Sequence, residues 1–140
     1  MKTPLIIITL ASLVATSAHA RVGETVKQVE ARYGNPQKVF IDRADLRKVG
    51  YGYRGFMIIV YFSGGTSKRE SFGRPGVPKL PRETVNEILA LSAREGTSWQ
   101  SVSAEHGEQY WVSSDKKVIA QFAAPGNVLL VQDRNFKSTE

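Results

Sequence analysis

Serine, histidine and carboxylate side chains near position 106 come closest to forming a nucleophilic catalytic set. Ser101 and Ser103 precede His106, and Glu105 and Glu108 flank it. A hydrolase triad needs a nucleophile, a base and an orienting acid in a fixed geometry, beside a turn that stabilises the oxyanion. These residues crowd instead into one polar loop, without a nucleophile elbow or a glycine-rich turn. We interpret His106 as a solvated loop histidine, and a small secreted hydrolase is the weakest of three candidate functions.

The sequence contains no motif typical of a metal site or a cofactor site. The chain has no cysteine and two histidines, and His19 lies in the segment that we predict below to be a cleaved signal peptide. His106 is then the only histidine of the exported domain, so a two-histidine zinc site is not expected. Glu83 and Glu87 stand one helical turn apart, but Glu87 is better explained as part of a helix cap than as half of a catalytic acid pair. We therefore predict no catalytic residue, no metal site and no cofactor, and a protein that is not an enzyme.

Aromatic residues in predicted strands are better candidates, for a binding surface. Residues 48–53 echo the aromatic strand of RNA-binding domains, but an extra residue follows the lysine and Arg54-Gly55 interrupts the pattern, so we predict no nucleic-acid binding. Exposed tyrosine and tryptophan beside arginine are typical of protein-binding hot spots. Ordinary partial burial of these rings is the alternative. The predicted partner-binding residues are Tyr51, Tyr53, Arg54, Tyr110 and Trp111.

The first twenty residues have the pattern of a cleavable secretory signal. A lysine precedes an apolar run at 4–14, and Ala18-His19-Ala20 offers the small residues that signal peptidase accepts. The run is about half of the ~20 residues that a membrane-spanning helix needs. We predict a signal peptide at 1–20 and one exported domain at 21–140, periplasmic or secreted, without stable membrane insertion. Because Arg21 rather than cysteine follows the cleavage site, no lipoprotein anchor is expected.

Basic residues are concentrated in the middle of the chain. Residues 38–82 hold ten Lys and Arg against three Asp and Glu, whereas residues 83–140 hold five against eight. Such an asymmetry suits contact with an anionic partner, but we favour a solvated surface as its explanation over a specific anionic site. The alternative function is therefore a binder of anionic envelope or extracellular polymer through segment 38–82.

An amphipathic helix is predicted directly after the signal. Thr25 and Gln28 have the spacing of a capping box, in which each side chain satisfies a free backbone N–H of the other residue. Val26, Val29 and Tyr33 then share one helical face. Gly34 offers the left-handed position that ends a helix, and Pro36 prevents its continuation.

A second helix and a strand recur about sixty residues later. Glu83-Thr84-Val85 repeats Glu24-Thr25-Val26, Thr84 and Glu87 predict a second capping box, and Gly96 is expected to end this helix. Ile58, Val60 and Phe62 recur as Val118, Ala120 and Phe122. These matches predict an α+β fold of tandem helix-plus-antiparallel-sheet repeats, with units at about 22–72 and 81–134. The repeats would form one curved sheet with two helices packed on one face.

Within the units, antiparallel strands are predicted where apolar residues alternate or form short runs between turns. An edge strand is also expected near 70–72, in the stretch rich in Gly, Pro and basic residues at 63–81. The other predicted strands are 48–53, 56–62, 109–113, 117–122 and 128–133.

The run from Val22 to Pro36 resembles the opening of the SmpA/OmlA family of outer-membrane assembly lipoproteins, in which a glycine, a capping threonine, a valine and Gly-x-Pro follow in that order. Two such units in tandem resemble proteins of the β-lactamase-inhibitor type. The resemblance covers 22–65 closely and 83–133 loosely, and the lipid-acceptor cysteine of the family is missing. It implies a non-enzymatic module of the cell envelope that contacts another envelope or extracellular protein, which is the function we predict.

Overall fold

The computed structural model of the chain describes residues 21–103, 109–123 and 126–138. The predicted signal peptide at 1–20 lies outside these residues, and so does the proposed grouping of His106 with Glu105 and Glu108. In the part of the chain that the structure describes, neither helix combines the length and the hydropathy needed to cross a membrane.

Eight strands and two short helices make up the described fold. In chain order the elements are α1 (Val26–Tyr33), β1 (Lys38–Asp42), β2 (Arg47–Tyr53), β3 (Phe56–Ser63), β4 (Thr66–Gly73), α2 (Arg82–Ser92), β5 (Trp99–Ser103), β6 (Gln109–Ser113), β7 (Val118–Ala123) and β8 (Val128–Asp133). All strand pairs are antiparallel, and the order across the sheet is β1-β2-β3-β4-β8-β7-β6-β5, so β1 and β5 form its edges.

The predicted tandem-repeat architecture, with units at 22–72 and 81–134, is wrong. Of the described residues, 46% lie in strands and 17% in helices, and every strand belongs to the same eight-stranded sheet. The fold is a mostly antiparallel sheet with two short helices. The strand residues that matched at a fixed offset show the period-two apolar pattern of any strand with one buried face, which is no evidence of repetition.

The first helix follows its prediction. Thr25 Oγ1 accepts the Gln28 N–H at 3.4 Å, and Gln28 Oε1 accepts the Thr25 N–H at 2.9 Å, which completes the capping box. The helix ends where Gly34 adopts a φ of 85°, a conformation that costs glycine little. Val29 and Tyr33 are buried, so the predicted stripe packs onto the sheet.

The second predicted capping box is wrong. Pro81 occupies the N-cap of α2, and no side chain caps this end. Thr84 is 5% exposed inside the first turn, and Glu87 forms an ion pair with Arg74 at 3.2 Å. Gly96 lies in a later turn, because the helix ends earlier. The shared cap on which the repeat alignment depended is therefore present in one helix only.

The hydrophobic core lies between the two helices and one face of the sheet. Alternate residues of each strand point into it, as the pairing of Val49 with Val60 and of Tyr51 with Ile58 shows. Buried residues from both helices belong to the same cluster. Because both helices pack on this side, the described elements leave the opposite side of the sheet without a helical cover.

Candidate protein-binding face

The five predicted partner-binding residues do not form one surface. Tyr51 is 0% exposed and Trp111 is 9% exposed, and both belong to the core beneath the helices. Tyr53 packs on the same side, with its ring 5.3 Å from that of Tyr33. The expectation that these strand aromatics point outward is therefore wrong for Tyr51, Tyr53 and Trp111. The register explains the error, because alternate residues of a strand lie on opposite faces.

Arg54 and Tyr110 lie elsewhere. Arg54 stands exposed in the turn between β2 and β3, with a φ of 50° and its guanidinium 5.2 Å from the centre of the Tyr53 ring. Tyr110 is half-buried and pairs with Gln121, so it points away from the helices, opposite to its neighbour Trp111. Partner binding by Tyr53, Arg54 and Tyr110 stays a prediction.

The side of the sheet away from the helices is the larger candidate surface, and we call it the helix-free face. Met57 is 49% exposed on this face and Phe40 is 43% exposed, two of the most exposed large apolar side chains among the described residues. Half-buried aliphatic and aromatic side chains of β3, β8, β7 and β6 continue the apolar surface. They are Ile59, Leu130, Ile119, Val112 and Tyr110.

The charged side chains at the described strand positions of the helix-free face are basic. Lys38, Lys48 and Arg69 belong to the strand positions that point to this side, as their pairing with Gly50, Tyr61 and Gln132 shows. No Asp or Glu occupies such a position in the described strands. The carboxylates of these strands stand at positions that point to the helical side, or at the ends of strands. The face therefore combines exposed apolar side chains with basic side chains.

These cations alternate with aromatic rings. The ammonium of Lys38 lies 5.0 Å from the centre of the Phe40 ring, and that of Lys48 lies 5.9 Å from the Phe40 ring and 4.9 Å from the Tyr61 ring. The Arg69 guanidinium lies 5.3 Å from the centre of the Tyr61 ring and 5.3 Å from the centre of the Phe136 ring. Such contacts hold a cation over the ring face and limit its rotamer freedom. We call the set the cation–aromatic row: Lys38, Phe40, Lys48, Tyr61, Arg69 and Phe136.

Gly50 of β2 makes room for the row, and Gly52 makes room for the Gln37 side chain. A Cβ at Gly50 would stand 3.0 Å from the Phe40 ring, and one at Gly52 would meet the end of the Gln37 side chain. The β1–β2 pairing is irregular at Phe40, which lets its ring turn over the glycine. The glycines of β2 thus lie on the helix-free face, where they have no side chain, and the tyrosines of β2 pack on the core side. This alternation was the sequence signal that Tyr51 points inward.

A buried polar network joins α1 to β4 on the other side of the sheet. The Tyr33 hydroxyl donates to Glu70 Oε2 at 2.8 Å, and Arg32 lies 3.7 Å from Glu70 Oε1 and forms an ion pair with Glu24. Burial raises the pKa of Glu70, while Arg32 and the hydrogen bond from Tyr33 lower it, and the first cause is the largest. Glu70 is 1% exposed, so the network fastens the helix and offers nothing to an outside molecule.

The basic segment 38–82 is divided over several surfaces. Arg43, Arg47 and Arg74 lie 3.2, 3.6 and 3.2 Å from carboxylates that are close in the fold. Lys79 precedes α2 and Arg82 begins it, on the helical side of the sheet. The segment therefore does not form one continuous basic strip, as a site for a long polyanion would require.

The remaining chemical candidates are accounted for where the structure describes them. Glu83 is exposed and Glu87 pairs with Arg74, so these carboxylates do not face each other across a cleft. Ser101 accepts a hydrogen bond from the Gln109 amide at 2.7 Å. Within 21–103, 109–123 and 126–138, no three His, Asp or Glu side chains gather as metal ligands would.

Comparisons with known proteins do not assign a family. No protein-family model matches the chain, and no curated protein sequence matches it. Among solved structures, the chain is similar to a cysteine-rich secretory protein from Staphylococcus aureus, with 14% sequence identity and a TM-score of 0.45. The match covers 81% of this chain and 44% of that protein, so the chain spans less than half of its length. At this TM-score the similarity identifies neither a shared fold nor a shared function, and it does not bear on the SmpA/OmlA resemblance.

Proposed function

We propose that the protein is an exported, non-catalytic interaction module of the cell envelope, which binds another protein through the helix-free face. The observation that carries the proposal is the exposed apolar surface around Met57 and Phe40, set among cations on an uncovered sheet. Contiguous exposed apolar surface is rare on proteins that have no partner, because its burial is favourable by about 25 cal/mol per Å².

The chemistry of the face indicates the kind of partner. Apolar and aromatic side chains in the middle of an interface supply most of the affinity, while charges around them steer the encounter and fix its orientation. Because the described strand positions of this face include Lys38, Lys48 and Arg69 and no carboxylate, the complementary surface is acidic. The partner is therefore a protein with an apolar patch bordered by Asp and Glu.

A binder of anionic polymer is the second candidate, and the cation–aromatic row is the observation that favours it. Three cations in a row resemble a track for a charged chain. The exposed Met57 on the same face has no role in such binding, and the other basic residues of 38–82 are divided over the molecule. We therefore prefer a protein as the partner.

Affinity capture from envelope extract with matched variants tests the proposal. Met57→Glu places a charge at an exposed position of the face, and Ala90→Glu places the same charge at an exposed position of α2. We expect the unaltered protein and Ala90→Glu to retain the same partner protein, and Met57→Glu to lose it. The partner is then purified, and direct binding to the three forms is measured.

Two outcomes oppose the proposal. If Met57→Glu and Ala90→Glu bind the purified partner equally well, the helix-free face is not the site. If the retained material is a polyanion whose binding weakens steeply with salt and ignores Met57→Glu, the polymer function is correct instead.

A further inference from the structure

A cavity of about 500 Å³ opens on the helical side of the sheet, away from the helix-free face. Its apolar lining includes Trp111 of β6 and Phe122 of β7, with Leu80 and Val85 from the segment before α2 and from α2 itself. Cavities of about 300–1,000 Å³ with largely apolar walls are the usual sites of small ligands. We call it the α2 cavity.

Hydrogen bonds and a ring contact fix the elements that line the cavity. The Trp99 indole N–H donates to the Leu89 carbonyl at 2.7 Å, which fixes the far half of α2 over β5. The Leu80 N–H donates to the Gly126 carbonyl at 3.3 Å and fixes the segment that precedes α2. The Trp111 and Phe122 rings meet edge to face, with their centres 6.0 Å apart. The aromatic pair is therefore held in place in the absence of a ligand.

The lining has a distinct charge. Lys79 and Arg82 are exposed residues of the lining, and no carboxylate lines the cavity among the described residues. The Gln109 amide, also part of the lining, donates to the Ser101 hydroxyl, and this pair offers further hydrogen-bonding capacity to a polar group. An apolar wall with cations beside it matches a molecule that has an apolar body and an anionic end.

We propose that the α2 cavity binds a small organic anion with an aromatic or aliphatic body, such as a carboxylate, sulfonate or phosphate ester. The body packs on Trp111 and Phe122, and the anionic group pairs with Lys79 and Arg82. This binding is independent of the proposed protein partner, because the cavity and the helix-free face lie on opposite sides of the sheet.

Two dyes that differ in charge test the proposal on the purified exported protein. Anilinonaphthalene sulfonate has an apolar ring system with an anionic group, and phenylnaphthylamine is its uncharged counterpart. We expect one molecule of the sulfonate to bind per chain, with a Kd on the order of tens of micromolar, and a shift of the Trp111 indole resonance in NMR spectra. The uncharged dye is expected to bind at least about tenfold more weakly, because it lacks the charge interaction.

Matched variants locate the dye. Lys79→Glu with Arg82→Glu is expected to weaken sulfonate binding about tenfold or more, with little effect on the uncharged dye. Lys27→Glu with Lys117→Glu changes the net charge equally at exposed positions outside the lining, and it is expected to leave binding within about twofold. Asn86→Phe fills the cavity from an exposed position of α2, so it removes binding without disturbing the core.

Three results overturn the proposal. The first is the absence of saturable sulfonate binding to the folded protein. The second is binding that both charge-reversed pairs weaken alike, which indicates net charge rather than a site. The third is binding that Met57→Glu removes while the Trp111 resonance stays in place, which locates the dye on the helix-free face.

Discussion

The burial of Glu70, which is 1% exposed, departs from what its residue type predicts. A carboxylate in a core is costly unless charges and hydrogen bonds compensate it. Here the Tyr33 hydroxyl supplies one hydrogen bond, while Arg32 stands 3.7 Å away, beyond hydrogen-bonding distance. Desolvation therefore exceeds the attraction, and the pKa of Glu70 is raised.

This shift predicts a pH dependence of stability. The folded state holds the proton of Glu70 to a higher pH than the unfolded chain, whose glutamate has a pKa of 4.5. Folding therefore takes up a proton, and the contribution of Glu70 to stability is present below pH 4.5 and is lost as the pH rises through the folded pKa. Glu70→Gln cannot titrate. We expect the free energy of unfolding of the unaltered protein to fall relative to Glu70→Gln as the pH rises above 4.5, measured by urea denaturation at several pH values.

A second variant identifies the cause. Tyr33→Phe removes the hydrogen bond that lowers the pKa of Glu70, so the loss of stability moves to higher pH. Parallel pH profiles for the unaltered protein and Glu70→Gln contradict a raised pKa.

At the level of elements, the helix cap that depends on neighbouring residues was predictable, and the one inferred by repetition was not. Thr25 and Gln28 satisfy each other locally, so their spacing alone indicates the start of α1. The equivalent spacing at Thr84 and Glu87 is overridden by tertiary contacts, because Thr84 is buried and Glu87 pairs with Arg74. A local sequence pattern predicts local structure only where its side chains are not engaged in long-range contacts instead.

Substitution of the two threonines separates these roles. Thr25→Ala is expected to lower the free energy of unfolding by about 1 kcal/mol, since it removes a side-chain cap. Thr84→Ala loses a buried methyl group and hydroxyl but gains helix propensity, so its net effect is expected to stay within about 0.5 kcal/mol. Denaturant midpoints compare the two variants. Equal losses would mean that Thr84 also caps its helix in solution.

The strands show the same limit. Strands 56–62, 109–113, 117–122 and 128–133 have an apolar pattern, and the structure confirms them within one or two residues. The expected edge strand at 70–72 is wrong, because β4 runs over Thr66–Gly73 and pairs with both β3 and β8.

The sequence of β4 is polar because its buried polar side chains are hydrogen-bonded to distant parts of the chain. The Ser67 hydroxyl accepts the N–H groups of Gly23 and Glu24 at 3.1 Å each, and Glu70 accepts from Tyr33. Two buried positions of a central strand therefore hold polar residues whose partners lie about forty positions away, which no local pattern reveals. β1 and β5 were not predicted either, because their largely exposed residues lack the alternation of a half-buried strand.

The candidate site was also predictable only in part. The kinds of residue were predictable, since aromatic and basic side chains do lie together on the helix-free face. Their identity depended on the register of β2 and β6, and an error of one position exchanges the two faces. Tyr51 and Trp111 were assigned to the outside for this reason, while Lys38, Phe40 and Met57 were overlooked.

At the scale of the whole molecule, the proposed export predicts a defined mature N-terminus. Val22 is buried and the Gly23 N–H donates to the Ser67 carbonyl at 2.8 Å, so cleavage after Ala20 would leave both of these contacts in the exported protein. Mass spectrometry of the exported protein is expected to show an N-terminus at Arg21 and no added lipid. Recovery of the full-length chain from the membrane fraction would contradict the proposed processing.

The division of the molecule into two faces leads to a kinetic prediction for the proposed partner. Charges at an interface mainly accelerate association, whereas buried apolar contacts slow dissociation. We expect Lys48→Glu to slow association about tenfold at low salt and to reduce the dependence of the rate on ionic strength. Met57→Ala should instead accelerate dissociation by several fold, with association nearly unchanged. Surface plasmon resonance at two salt concentrations measures both rates.

Arg54 serves as the matched comparison. It is exposed in the β2–β3 turn, at the end of the strands that carry Lys48 and Met57 rather than on the face itself. Arg54→Glu changes the charge by the same amount as Lys48→Glu, and we expect a smaller effect on association, because the interaction with an acidic partner weakens with distance and is screened over about 8–10 Å. If Arg54→Glu slows association as much as Lys48→Glu, net charge rather than the helix-free face guides the encounter. If Lys48→Glu alters only dissociation, the cation–aromatic row is buried in the complex instead of steering the partner towards it.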